Sequence, residues 1–144
     1  MKKISTLIFL TCCFLSCSQD DANTHPLEGR WYYQQIIYGS WGSESGASST
    51  GNLVDCKGDS YYDISNNHVE LKEFLSCENW NTFQGTFNSE KNEITIANSK
   101  TESSVYDVQL ENEQLVLRNT TTSIINNELI THTVTQICGR RPIW

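Results

Sequence analysis

From about residue 30 onward the chain alternates apolar and polar side chains with period two, and Asn-rich pairs interrupt the alternation at short intervals. No segment sustains the wider spacing of an amphipathic helix. Successive side chains of a strand face opposite sides, so this pattern requires antiparallel strands joined by tight turns. It predicts eight strands, at about 30–38, 56–65, 68–77, 82–88, 93–98, 104–111, 114–125 and 128–137.

The turns also set register. A two-residue turn at Asn66-Asn67, a pair that tolerates positive φ, places Ser65 opposite His68. The pairing then runs Ile64 with Val69, Asp63 with Glu70 and Tyr62 with Leu71. Ile64, Tyr62, Val69 and Leu71 share one face, while Asp63, Glu70, Tyr61 and Lys72 share the other, giving one buried side and one wet side. A turn at Asn112-Glu113 likewise pairs Leu110 with Leu115 and Val108 with Leu117. A loop at Ser89-Glu90-Lys91-Asn92 sets Phe87 near Ile94 and Gly85 near Ile96, and Asn126-Asn127 closes the last hairpin. Consecutive hairpins in chain order form an up-and-down meander. Eight antiparallel strands close most simply into a barrel, which leaves no exposed edge; an open β-sandwich is the alternative.

Carried on without interruption, the Asn66-Asn67 register sets Cys56 opposite Cys77 at a non-hydrogen-bonded site, where opposing Cα atoms lie about 4.5 Å apart. That separation is at the short end of disulfide geometry. A Cys56–Cys77 bridge is expected, and in the chain-entropy model it adds roughly 3 kcal/mol. A bulge at Gly58 would break the register, and Cys138 is a competing partner. The pairing leaves Cys138 over, buried at the end of the last strand.

The first residues read as a targeting segment. Lys2 and Lys3 precede an apolar run from Ile4 to Leu15, about 12 residues, which is too short for a membrane helix of roughly 20 and suits a secretory signal. Phe14-Leu15-Ser16-Cys17 resembles the lipobox of bacterial lipoproteins, in which the peptide is cut before a diacylated cysteine. Cys12 and Cys13 are followed by apolar residues, whereas Ser18-Gln19-Asp20-Asp21 after Cys17 is a polar tether. The expected organisation is a signal peptide over 1–16, a lipidated Cys17 and tether over 17–26, and one domain over 27–144. Acids close behind the cysteine are similar to those of Bacteroidetes-type lipoproteins, which implies an outer-membrane location on the periplasmic or cell-surface side.

The formal charge is −7, and it becomes −9 once Lys2 and Lys3 are removed. An acidic chain without a basic cluster argues against nucleic acid and against adsorption to anionic lipid. The expected membrane contact is therefore the N-terminal lipid.

Leu27-Glu28-Gly29-Arg30-Trp31 resembles the Gly-x-Trp signature that opens the first strand of lipocalins. The resemblance spans about residues 26–138 and is closest to lipocalin-like domains of small Bacteroidetes-type lipoproteins. It implies an eight-stranded calycin-like barrel in which Trp31 plugs the closed end. A late arginine packs on the indole, with Arg140 the first candidate and Arg118 the second. These domains often carry cysteines placed as Cys56 and Cys77 are. The Thr-Asp-Tyr motif of animal lipocalins is absent, so the resemblance does not carry over a ligand.

Gly39 to Asn52, rich in Gly and Ser, is expected as a lid loop over the open mouth, with Trp41 as its large side chain; Ser76 to Asn81 carries Trp80. Two indoles there could cover an apolar ligand or pack on their own loops. His132 shares a face with Asn119, Thr121, Ser123, Ile130 and Val134, which lines the lumen if it points inward. No nucleophile elbow, paired metal ligands, Cys-x-x-Cys or phosphate loop occurs, so neither catalysis nor a cofactor or metal is expected. The functional expectation is non-catalytic binding of a small apolar or amphipathic molecule. The alternative is a filled barrel that serves as a protein-interaction or inhibitor module.

Overall fold

The computed structural model describes residues 25–42, 46–51 and 59–142. The segment expected as a signal peptide, Cys17, the expected tether up to residue 24, and Cys56 lie outside the described residues. Nine strands follow one another: β1 Gly29–Trp41, β2 Gly46–Gly51, β3 Tyr61–Ser65, β4 His68–Ser76, β5 Asn79–Asn88, β6 Glu93–Ala97, β7 Ser103–Glu111, β8 Gln114–Ile125 and β9 Glu128–Gly139. All neighbours are antiparallel, and β1 pairs with β9 to close the sheet into an up-and-down barrel.

Nine strands fill eight positions because β1 is long. Its first residues, Gly29 to Tyr32, pair with β3, while Ile36 to Trp41 pair with β2. The two short strands therefore follow each other along one edge of β1. This corrects two expectations. The strand placed over 56–65 is described only from Tyr61, and the supposed lid over Gly39 to Asn52 is partly a hairpin of β1 and β2. β2 reads Gly-Ala-Ser-Ser-Thr-Gly and lies mostly exposed, so it carries no apolar alternation to announce it.

The Asn turns take positive φ: Asn66 at 53°, both Asn112 (49°) and Glu113 (63°), and both Asn126 (51°) and Asn127 (64°). Two consecutive left-handed residues match the twist of the flanking strands, which is why two-residue loops recur here. Registers follow as the turns require. Ile64 pairs with Val69 and Tyr62 with Leu71; Phe87 pairs with Ile94 and Gly85 with Ile96; Leu110 pairs with Leu115 and Val108 with Leu117.

Inward positions in the lower half are apolar and fully buried: Trp31, Ile64, Val69, Phe87, Ile94, Ile96, Val108, Leu115 and Leu117, each at most 3% exposed. Burying each Val, Leu, Ile or Phe contributes about 1.5–3 kcal/mol against the extended chain. Their concentration at one end makes that end a solid floor.

The base is tied by Trp31 and Arg140. The Trp31 Nε1–H donates to the Leu27 carbonyl at 2.8 Å. The Arg140 guanidinium carbon sits 3.6 Å from the centroid of the Trp31 ring. Its two terminal nitrogens donate to the carbonyls of Glu28 (2.7 Å) and Pro26 (3.0 Å). Gly29 has φ +100°, and a Cβ there would stand 2.8 Å from Arg140 Nη1. The glycine of Gly-x-Trp is needed both for its left-handed backbone and for the room it leaves the guanidinium. Arg118, the second candidate, instead pairs with Glu111 at 2.9 Å on the outer face.

Cys138 on β9 is fully buried, and it is the free cysteine among the described residues. Its thiol is pushed up far above the usual range by burial. Cys77 lies in the turn between β4 and β5.

Candidate ligand site at the barrel mouth

A shift in register between Tyr33 and Gln35 decides which side chains of β1 enter the upper lumen. Before it, Trp31 and Tyr33 point inward. After it, Ile36, Tyr38 and Ser40 do, opposite Gln136, Val134 and His132 of β9. The displaced Gln34 accepts from Gln114 at 2.8 Å, and its amide occupies the space a Cβ at Gly139 would need. A bulge of this kind re-aims a strand at the cost of one unpaired residue.

Above the apolar floor the inner wall becomes polar. Tyr62 donates to Gln136 Oε1 at 2.5 Å, and Tyr33 donates to the Tyr62 hydroxyl at 3.4 Å. Both phenols are buried, and desolvation holds their pKa well above the ordinary value. Tyr106 of β7 lies beside Tyr62 but is only half-buried. Burial thus falls along the barrel axis, from a dry floor through a tyrosine–glutamine layer to half-exposed Ile36, Glu73, Phe83, Val134 and His132. The upper lumen is a cup open to solvent.

A pocket of about 300 Å³ opens at this end, where β1, β2 and β9 meet. Its inward-facing lining is Tyr38, Ser40, Ala47, Ser49, His132 and Val134. The volume is at the lower end of the range for small-molecule sites. His132 Nε2 lies 3.1 Å from the Ser123 hydroxyl across the β8–β9 pair, which fixes the ring against the wall. A wider groove of about 450 Å³ lies at the closed end, outside the lumen, between the segment from His25 to Leu27 and the stretch from Val108 to Glu111.

The structure separates the three residues singled out as ligand contacts. His132 faces the lumen. Trp41 pairs with Thr131, one step out of phase with His132, and so faces outward. Its ring lies over Gly39 and Gly46, where a Cβ would meet it at 1.9 and 2.3 Å. Trp80 is on the outer face too, paired with Phe74, with the Lys72 ammonium 4.6 Å from its ring centroid. Both indoles pack on their own hairpins rather than over the mouth.

The alternation that named His132 held a signal that was not taken up. Leu71 is inward, so Glu73 two residues on is inward as well, opposite Asn81. Tyr33, Tyr38, Tyr62, Tyr106 and Gln136 were missed as site residues because they read as ordinary strand residues. The bulge that brings Tyr38 inward leaves no composition mark.

Among the described residues no group of three or more His, Cys, Asp and Glu is placed to hold a metal. The cup offers hydrogen-bonding groups, aromatic side chains and carboxylates, an arrangement suited to holding a molecule. No protein-family model and no curated protein matches this chain.

Proposed function

We propose that the chain is a lipid-anchored lipoprotein of the cell envelope. Its lipocalin-like barrel holds a small amphipathic molecule at the mouth without covalent chemistry. The observation that carries the reading is the burial gradient of the inner wall: a filled floor below, and a half-exposed, partly polar cup above. A barrel packed by its own side chains throughout would bury these inward positions evenly. The apolar members Ile36, Phe83 and Val134 would take the ligand's hydrocarbon, and the phenols, Gln136 and His132 its polar part.

The anchor is assigned to Cys17 and the location to the outer membrane, on the lipobox-like segment and the acids that follow it. In this reading Cys56 and Cys77 form the disulfide. Its support is that Cys138 is buried and free within the lower barrel whereas Cys77 is not free. The outer patch of Lys72, Phe74 and Trp80 favours a second reading, a protein-interaction module that uses its exterior.

The test is native mass spectrometry of the mature lipoprotein released in mild detergent. A reproducible added mass of small-molecule size, lost on denaturation, is expected. A bare mass in repeated preparations would move the assignment to the protein-interaction reading. Membrane fractionation of Cys17→Ser checks the anchor: the variant leaves the membrane, and retention would refute lipidation at this position.

A further inference from the structure

We propose that the pocket where β1, β2 and β9 meet takes a neutral polyhydroxylated head group of the sugar type, stacked on the ring of Tyr38. The inference rests on the carrier reading and names the polar part of its ligand.

The pairing of β1 with its two neighbours lays out the wall. Ala47, Ser40 and His132 stand side by side in one row across β2, β1 and β9, and Ser49, Tyr38 and Val134 form the next row toward the floor. Neighbouring strands lie about 4.8 Å apart, and residues two apart on one strand about 6.6 Å. Hydroxyls and an imidazole are thus spread over the area of one six-membered ring and its substituents. Small side chains at Ala47, Ser40 and Ser49 leave the concavity of about 300 Å³ between them.

Each polar group of this lining both donates and accepts. The hydroxyls of Ser40, Ser49 and Tyr38 carry a donor and lone pairs, and an imidazole in its neutral form carries one nitrogen of each kind. An alcohol has the same double character, so the hydroxyls of a polyol find partners in either direction. Nε2 of His132 is engaged by Ser123 at 3.1 Å, which leaves Nδ1 for the ligand. Charged heads fit less well. Among the described residues that line the pocket there is no Asp, Glu, Lys or Arg, and an ion there would exchange water for groups that do not neutralise it. The inward carboxylates Glu73 and Glu128 lie elsewhere in the cup.

The stacking face is built by a glycine. The Tyr38 ring lies over Gly51, where a Cβ would stand 3.0 Å from its Cε2. The ring settles against β2 and keeps 48% of its surface exposed. A ring supported by a strand in this way offers an apolar face to the C–H side of a sugar and a hydroxyl at its edge. Val134 and Ile36 continue the apolar surface toward the floor, where a hydrocarbon tail would lie.

The experiment uses the mature lipoprotein in a sugar-free polyoxyethylene detergent and four probes with one six-carbon tail: hexyl glucoside, hexanol, hexylamine and hexanoate. Binding is followed by calorimetry. Hexyl glucoside is expected to bind at least about tenfold more tightly than each of the other three. Tyr38→Ala is expected to weaken hexyl glucoside by about tenfold or more and to leave hexanol within about twofold. Equal binding of hexanol would overturn the assignment of the head group and leave the carrier reading standing. Tighter binding of either ion would do the same, and a preference for hexylamine would move the head to the inward carboxylates. Failure of all four to bind would overturn both readings. The probe series on the unaltered protein decides the matter even if Tyr38→Ala does not fold.

Discussion

Replacing Arg140 with Ala tests how the closed end is held. The substitution removes a guanidinium stacked 3.6 Å from the Trp31 ring centroid and two donors to the carbonyls of Glu28 and Pro26. Stacking of this kind contributes about 0.5–2 kcal/mol, and an exposed cation belongs in the lower half of that range. A hydrogen bond from a charged donor contributes about 1.5–3 kcal/mol where water is excluded, and less here, because water can solvate the released carbonyls. The sum is about 2–3 kcal/mol. Urea unfolding followed by tryptophan fluorescence should show this as a lower midpoint at unchanged slope, since the surface exposed on unfolding stays the same. Arg140→Lys keeps the charge but lacks the planar fork that reaches two carbonyls while stacking, and it should recover less than half of the loss. Arg118→Ala is the control, an exposed ion pair that contributes no more than about 1 kcal/mol. If Arg140→Ala unfolds within about 0.5 kcal/mol of the parent, the lock on the base described here is wrong.

Three further outcomes follow from the core. Gly85→Ala should destabilise by about 1–3 kcal/mol in the same assay, because its Cβ would stand 2.3 Å from the Thr95 carbonyl oxygen, a backbone atom that cannot yield without disturbing the β5–β6 ladder. Cys138 should resist a thiol reagent under native conditions and react only on unfolding, because it is buried and its pKa is raised; rapid native labelling would contradict both. Tyr33 and Tyr62 have folded pKa values above their unfolded ones. The unfolded chain therefore releases these protons first, so the two phenols' contribution to stability is constant below about pH 10 and falls as pH rises beyond it. Absorbance at alkaline pH should show these two phenols ionising together with unfolding rather than before it.

Hairpins joined by Asn pairs were legible in the sequence because turn chemistry and side-chain alternation fix the same register independently. Asn66-Asn67 and Asn112-Glu113 show this best: one offset places every buried residue of two strands. β2 was not legible, because Gly46–Gly51 is held by backbone pairing to β1 and by the Trp41 ring over Gly46, neither of which leaves an apolar pattern. The same omission turned Trp41 into a lid candidate. Its outward direction depends on the bulge after Tyr33, which shifts the phase of everything beyond it. His132 lies in the lumen because β9 runs without interruption from Gln136 to the mouth. Glu73 required no information beyond the alternation already in use, and was passed over because an acid in a strand is ordinarily assigned to water.

The pairing of β1 with β9 also bears on how the chain reaches this state. Apart from β1 with β3, which brackets β2, every other adjacency is formed by hairpins whose two arms are neighbours in sequence. The seam joins Tyr32 to Gly139, across nearly the whole domain, so its loop-closure entropy is met last. Until Glu128–Gly139 is available, β1 and β8 present unpaired edges able to recruit strands from other chains. A protein ending before Glu128 would thus keep most of its hairpins and leave both of these edges open to pairing between chains. The final dozen residues of the meander act as the clasp of the barrel.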